Sequence, residues 1–371
     1  MRSNKEFFLA TASLLGTIIG GGIFAIPYLF AKSGILLCTL YLLILGGIVL
    51  LIHLLFGEIV LATKEKHRLI GYAHKYLGKK AKILISFSTI FGTTGALLAY
   101  IILGGNFLNI IFPFLNFSPA QLSIILWFFL SLFIFLGIRT IVWSELLMNI
   151  GFFGVISLIF FFSIPKINFS NVRLFNAHNI FLPYGVILFS LIGWNAIPEI
   201  EPILKQKRQL KKTVIFSFIV VLAFYFLFGM IISGVTGEKT SQEAFRGLSY
   251  FLGEKITKLG GVFGLFAVCT SFLVLANYLK NALRYDYNFP KSFAGFLACF
   301  LPFVLFLLGF QQFIEIISLV GIVVGAIEGI TIILIYKKLP FFRERKPEYK
   351  TCFPSFVLLF SQAIFVLGVV F

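Results

Sequence analysis

The chain has 371 residues, of which 59% are hydrophobic and 12% charged, with a formal net charge of +17 and a mean hydropathy of +1.02. A soluble domain carries about 25% charged residues, so these values exclude a water-soluble globular protein and predict a polytopic bundle of membrane helices. The positive charge does not point to nucleic acid: Lys and Arg sit in short loops between apolar runs, where anionic lipid is the polyanion within reach.

The first apolar run, Phe7 to Ala31, follows the polar stretch Met1 to Glu6. That beginning has the outline of a signal peptide, but the run is longer than an h-region and no cleavage site follows it, so it reads as a retained first span. In its middle stands Gly16-Thr17-Ile18-Ile19-Gly20-Gly21-Gly22-Ile23-Phe24-Ala25-Ile26-Pro27. Three consecutive glycines are poor helix formers, and Pro27 has no N–H for the helical ladder. Gly16 and Gly20 are also spaced for helix packing. The whole stretch predicts a broken span. Backbone freed at membrane depth is tolerated only where protein or a water-filled cavity covers it. The N–H groups opening the second half then suit an anion, and the carbonyls ending the first half suit a cation. An amino acid zwitterion or a coupling ion fits that description.

Ten further apolar runs follow, at about 35–62, 83–112, 120–138, 141–163, 179–203, 213–235, 259–283, 291–309, 312–336 and 353–371. Each is of the order of the roughly 20 residues that a bilayer requires. Only a short link around Arg139 joins the fourth and fifth. Two loops are longer. Thr63 to Lys82 is basic, with a short amphipathic helix predicted around Gly71 to Tyr76; Val235 to Lys258 is mixed in charge and suited to lie over one mouth as a lid. Cys38, Cys269, Cys299 and Cys352 are far apart, so neither a metal site nor a disulfide framework is predicted. The chain reads as one transmembrane domain, residues 1–371.

With the N-terminus inside, the segments on its side hold 24 of the 31 Lys and Arg residues and the other side holds 7. The positive-inside rule therefore predicts a cytoplasmic Met1 and, after an odd number of spans, an external Phe371, in a multi-pass protein of the plasma membrane.

The sixth run contains Phe189-Ser190-Leu191-Ile192-Gly193-Trp194-Asn195-Ala196-Ile197-Pro198-Glu199-Ile200-Glu201-Pro202. A Gly, an Asn, two prolines and two glutamates predict a second interruption, near Ile192 to Asn195. Span one begins inside and span six outside. Spans 1–5 (about 7–163) and 6–10 (about 179–336) then form an inverted repeat, each half opening with a broken helix, and 353–371 is an eleventh helix outside it. Paired interruptions at corresponding positions point to a transporter's binding site.

The first-break motif resembles that of the amino acid–polyamine–organocation superfamily, and its form is most similar to the hydroxy and aromatic amino acid permeases. Glu58 and the stretch Phe189 to Pro198 are similar to that group too. The resemblance implies an all-α membrane protein of the LeuT type and a secondary active transporter that imports an amino acid by alternating access. Tryptophan and tyrosine are the implied substrates, with serine and threonine as alternatives. It implies the substrate carboxylate at the N–H groups of Gly20, Gly21 and Gly22. The ammonium would meet the carbonyls of Phe189, Ser190 and Ile192. Phe189 would close over the substrate, and Thr17, Tyr100 and Trp194 would line the pocket.

The resemblance also implies a sodium site, with the carbonyls of Gly16, Ile19 and Ala267 and the hydroxyls of Thr270 and Ser271 as ligands; five oxygens suit a hard cation. Proton symport is the alternative, and some proton-coupled relatives place a Lys of span five where sodium would sit; Ile141 to Ser163 contains no Lys. An amino acid exchanger that needs no proton is a third reading. The implied partners are the amino acid, Na+ or H+ and the bilayer, with no cofactor, nucleic acid or obligate protein partner.

Acidic residues within spans are candidates for carrying protons. Glu58 lies near the inner end of span two and is expected to face water. Glu199, with Glu201 beside it, lies on the inner half of span six, free to carry a proton or to pair with a Lys or Arg. Glu328 in span ten is deeper and has no evident local partner. His53 reads as a packing histidine. The four His and one Asp of the chain form no clustered acid–base constellation, so an enzyme is not expected. Nor is there the filter loop or charged ring of a channel.

Overall fold

The computed structural model describes residues 2–136, 151, 154–351 and 353–370, which contain helices and turns and no strand. The first span is α1 (Arg2–Ile18), a 3-10 turn at Gly21–Ala25 and α2 (Ile26–Ser33). Its halves, Lys5–Ile18 and Gly21–Ser33, are bent by 52°. There follow α3 (Ile35–Ala62), the short α4 (Leu69–Leu77), α5 (Lys79–Ile111), α6 (Pro119–Leu136) and α7 (Gly154–Lys166). The second interrupted span is α8 (Leu182–Leu191), a turn at Trp194–Ala196 and α9 (Ile197–Ile200). The remainder is α10 (Gln209–Thr236), α11 (Ser249–Leu252), α12 (Glu254–Asp286), α13 (Lys291–Leu307), α14 (Phe313–Phe342) and α15 (Ser355–Val370). Among the described residues, six helices are long and apolar enough to cross a bilayer, and the bent first pair supplies a seventh. The shorter apolar helices α6, α7, α13 and α15 stand where spans four, five, nine and eleven were expected. The link at Arg139, most of the predicted fifth span, Cys352 and Phe371 lie outside the described residues.

The two interruptions are built alike. Backbone turns extended at Gly20 (φ −102°, ψ −155°) and at Ile192 (φ −67°, ψ 121°). A 3-10 turn follows, and then the same tripeptide, Ala-Ile-Pro, leads into the next half-helix at 25–27 and at 196–198. Proline is tolerated there because the first turn of a helix has no acceptor for its missing N–H.

Helix α10 packs on α1, α2 and α3, whereas α5 packs on α6, α12 and α14; α8 touches both α3 and α14. Small residues let the backbones meet. A Cβ on Gly321 of α14 would overlap the Gly185 carbonyl of α8, the close approach that holds helices together in lipid.

The two ends of the bundle are closed differently. At one end Phe24, Phe107, Phe228 and Phe245 form an aromatic cluster, each at most 1% exposed. Ring centroids lie 4.9 Å apart for Phe24–Phe107, 5.6 Å for Phe24–Phe245 and 6.3 Å for Phe228–Phe245. Phe245 belongs to the loop after α10, so that loop covers its end as a lid, as expected. At the other end, which carries α4 and most of the basic loops, the segment 343–351 folds back over the end of α3. The N–H groups of Glu344 and Arg345 donate to the Ala62 carbonyl (3.1 and 3.2 Å), Arg345 Nε donates to the Leu61 carbonyl and the Tyr349 hydroxyl donates to the Leu54 carbonyl at 2.8 Å. Lys75 of α4 reaches Glu344 at 2.6 Å.

Candidate functional site

The two breaks touch. A Cβ on Gly22 would stand 2.5 Å from Ser190 Oγ and 3.0 Å from Ser190 Cα, and one on Gly193 would overlap the Ile18 side chain. Glycine at both positions lets the interruptions lie against one another. Gly21 and Gly22 are buried at the opening of their 3-10 turn, where a helix leaves N–H groups without helical partners. The Tyr100 ring of α5 lies over Gly20 and Gly21: its hydroxyl would be 3.1 Å from a Cβ on Gly20. That hydroxyl interacts with the Gly21 backbone and with Ser271. The structure therefore gathers Gly20, Gly21, Gly22, Tyr100, Ser190 and Ser271 at one point.

The carbonyls at the breaks are partly engaged already. Ile18 O accepts from Gly20 N at 2.9 Å, and Phe189 O accepts from Ile192 N at 3.3 Å. The hydroxyl of Tyr225, on α10, donates to Ile18 O at 3.0 Å and to Ser190 O at 2.8 Å. Sequence reading missed Tyr225, because one tyrosine in an aromatic-rich span carries no local signal of a partner two helices away.

Below the second break sits a buried polar chain. Trp194 Nε1 donates to Glu328 Oε2 at 2.6 Å, and Ser88 Oγ donates to Glu328 Oε1 at 3.3 Å. Glu328 is 1% exposed and Trp194 is fully buried. Glu328 has no partner near it in sequence, and its partners lie on α5 and in the second break, far along the chain. His53 packs edge-on against Phe218, with centroids 4.7 Å apart, and tilted against Trp194 at 5.7 Å. Its Nδ1 lies 2.8 Å from the Val49 carbonyl, and its Nε2 faces the Gly193 backbone without a hydrogen bond of good geometry. It is a packing histidine, as expected, and it adjoins the site.

The other predicted residues differ in their surroundings. Thr17 is exposed and donates to Ser13 O at 3.0 Å in its own helix. Thr270 likewise donates to Phe266 O and Ala267 O, both at 3.1 Å. Gly16, Ile19, Phe189 and Ile192 are half-buried. Glu199 is exposed, whereas Glu201 is buried and pairs with Lys207 at 2.9 Å. Glu58, expected to face water, is 5% exposed. Its Oε2 accepts from Thr351 N at 2.7 Å and Thr351 Oγ1 at 2.5 Å. The returning segment 343–351 excludes water from it, which no reading of span two alone reveals. Among the described residues no group of three or more His, Cys, Asp or Glu is arranged to hold a metal ion.

Solved transporters share this architecture. A nucleobase-cation-symport-1 family transporter, Mhp1, in a closed conformation with bromovinylhydantoin bound, superposes with a TM-score of 0.66 at 14% identity, over 88% of this chain and 77% of that one. MhsT in complex with L-phenylalanine gives 0.65 at 13% identity, over 98% and 97%. At such identities the likeness shows the LeuT-like, all-helical fold alone. In sequence, the chain is 25% identical over 340 residues to glutamine transporter 2 of Aliivibrio fischeri (strain ATCC 700601 / ES114), covering 86% of each. It is 28% identical over 250 residues to the putative amino acid transporter AAT1 of Plasmodium falciparum (isolate 3D7), covering 62% of this chain and 39% of that protein. The protein is a multi-pass membrane transporter and not an enzyme. The sequence pattern of the tryptophan/tyrosine permease family matches residues 3–370, and the chain belongs to that family.

Proposed function

We propose that the protein is an ion-coupled importer of an amino acid, preferably an aromatic one. In this reading it crosses the plasma membrane eleven times with its basic end in the cytoplasm. Its first ten spans form a five-plus-five inverted repeat. One observation carries the reading: two interrupted spans meet at Gly22 and Ser190, which brings backbone N–H and C=O groups of opposite polarity to one buried point. The substrate carboxylate meets the N–H groups of Gly21 and Gly22 beside Tyr100. Its ammonium meets the carbonyl ends at Phe189 and Ser190. The repeated Ala-Ile-Pro at both breaks supports the internal symmetry. The aromatic preference draws on the family, and on the amino acid held by the structural relative MhsT.

The coupling ion in this reading is the proton, carried by Glu328. A carboxylate buried among neutral donors is costly when charged. Its bond to Trp194 ties it to the second break. Sodium is the second reading, and one observation favours it. Gly20 N turns to Ile18 O and Ile23 N to Gly20 O, so neither makes its usual helical bond to Gly16 O or Ile19 O. Uptake of radiolabelled tryptophan, tyrosine, glutamine and serine into proteoliposomes, under a proton gradient or a sodium gradient, tests all of this. Concentrative uptake driven by the proton gradient and lost in Glu328→Gln supports the first reading. Dependence on sodium, unaffected by Glu328→Gln, moves coupling to Gly16, Ile19, Ala267, Thr270 and Ser271. Exchange without either gradient removes ion coupling, and no saturable uptake of any amino acid removes the substrate class.

A further inference from the structure

Two helix C-termini converge on Tyr225. Helix α1 ends at Ile18 and α8 ends at Leu191, so the carbonyls of Ile18 and Ser190 both belong to last turns. A helix C-terminus carries roughly half a negative charge, and two of them facing one point repel. Nothing in either interrupted helix supplies a donor for both ends. A hydroxyl from a third, unbroken helix does: Tyr225 of α10 lies 3.0 Å from one carbonyl and 2.8 Å from the other, and is fully buried. One phenol proton is therefore shared by both breaks, at the place where a half-helix transporter site offers its carbonyls to a cation.

We propose that Tyr225 is a positioning residue of the transport site: its hydroxyl supplies the fixed positive pole between the two helix C-termini and holds their carbonyls in register for the ammonium of the substrate. The proposal rests on the reading of the breaks as an amino acid site. Ile18 O already accepts from Gly20 N as well as from the phenol and is held in place, whereas Ser190 O keeps a second lone pair, so the ammonium binds there alongside the phenol and does not have to displace it. The role is local to the ammonium end, because the carboxylate end lies at Gly21, Gly22 and Tyr100.

The test uses the full-length protein in proteoliposomes, with L-tryptophan as substrate, tryptamine (no carboxylate) and indole-3-propionate (no ammonium) as inhibitors, and thermal unfolding in detergent as a check on folding. Tyr225→Phe keeps the ring and removes the donor. The expected result is a rise of about tenfold in KM for tryptophan, with Vmax changed much less. Loss of one buried hydrogen bond has that size. Inhibition by tryptamine weakens by a similar factor and inhibition by indole-3-propionate does not. An unchanged KM overturns the proposal. So does equal weakening of all three compounds together with a lowered unfolding midpoint, which marks a purely structural tyrosine. If the phenylalanine variant does not fold, 3-fluorotyrosine at 225, a stronger donor of nearly the same shape, is expected to lower KM without moving the midpoint; a KM that stays put overturns the proposal. Wild-type protein that takes up no amino acid sinks the underlying reading instead, and is told apart because it requires no variant.

Discussion

The aromatic end and the basic end of the bundle are both closed, but by opposite chemistry. Four phenylalanine rings from the first break, α5, α10 and the loop after α10 seal the first. Backbone carbonyls of α3 bonded by the segment 343–351 seal the second. Apolar contact is cooperative and non-directional: parting those rings exposes buried hydrocarbon all at once. A polar closure opens bond by bond, and each bond lost to water costs only about 1 kcal/mol net. The aromatic end is therefore closed by one apolar cluster, and the segment 343–351 is held at the basic end by separate polar contacts.

The sharpest way to break that contrast is at Phe24. Truncating it to Ala removes a fully buried ring that touches both Phe107 and Phe245. It is expected to destabilise the protein by about 3–5 kcal/mol, read as a fall in the thermal unfolding midpoint in detergent. A loss below about 1 kcal/mol would mean that the rings are not packed as one cluster.

Next in size is Gly22→Ala, where the meeting of the breaks is tested directly. The new methyl group collides with the Ser190 side chain and backbone. Uptake is expected to fall at least about tenfold, the cost of roughly 1.4 kcal/mol at the site, and to recover in part in the double variant with Ser190→Gly. Equal activity of Gly22→Ala and the wild type would separate the two breaks.

At the basic end, Thr351→Val removes one of the donors to the buried Glu58 carboxylate. Loss of one buried hydrogen bond costs about 1 kcal/mol net, so a smaller fall in midpoint than that of Phe24→Ala is expected. A larger one would reverse the ranking of the two ends.

The smallest effect belongs to the Lys75–Glu344 pair, which lies outside the membrane spans. The hydrogen bond with Lys75 holds the Glu344 carboxyl below the usual carboxylate range, and the same bond raises Lys75. A depressed carboxylate stabilises above its unfolded value, and that contribution is lost as pH falls through the folded one. Amide exchange in 343–351, corrected for its intrinsic pH dependence, should therefore quicken as pH drops below about 4 and also with added salt. Glu344→Gln should flatten both responses; a variant that keeps them would assign the pH dependence elsewhere.

Much of this molecule was legible along the chain, because a bilayer imposes its rules locally. Each span must be apolar and about 20 residues long. A break in such a span must be covered, so Gly20-Gly21-Gly22 with Pro27, and Gly193 with Pro198, marked the two interruptions without any knowledge of packing. The helix around Gly71 to Tyr76 and the lid after α10 followed from composition in the same way. What the chain order does not carry is which buried side chain finds which partner. Glu328 meets Trp194 and Ser88, Glu58 meets Thr351, and Tyr225 meets both breaks only after helices distant in sequence have packed. A buried polar group takes whatever donor or acceptor the packed bundle puts within about 3 Å. The sequence by itself thus determined the apolar helices of the described residues and the two interruptions, through period, length and backbone chemistry. The tertiary structure alone decided the polar partnerships, because a hydrogen bond is set by distance in space and not by distance along the chain.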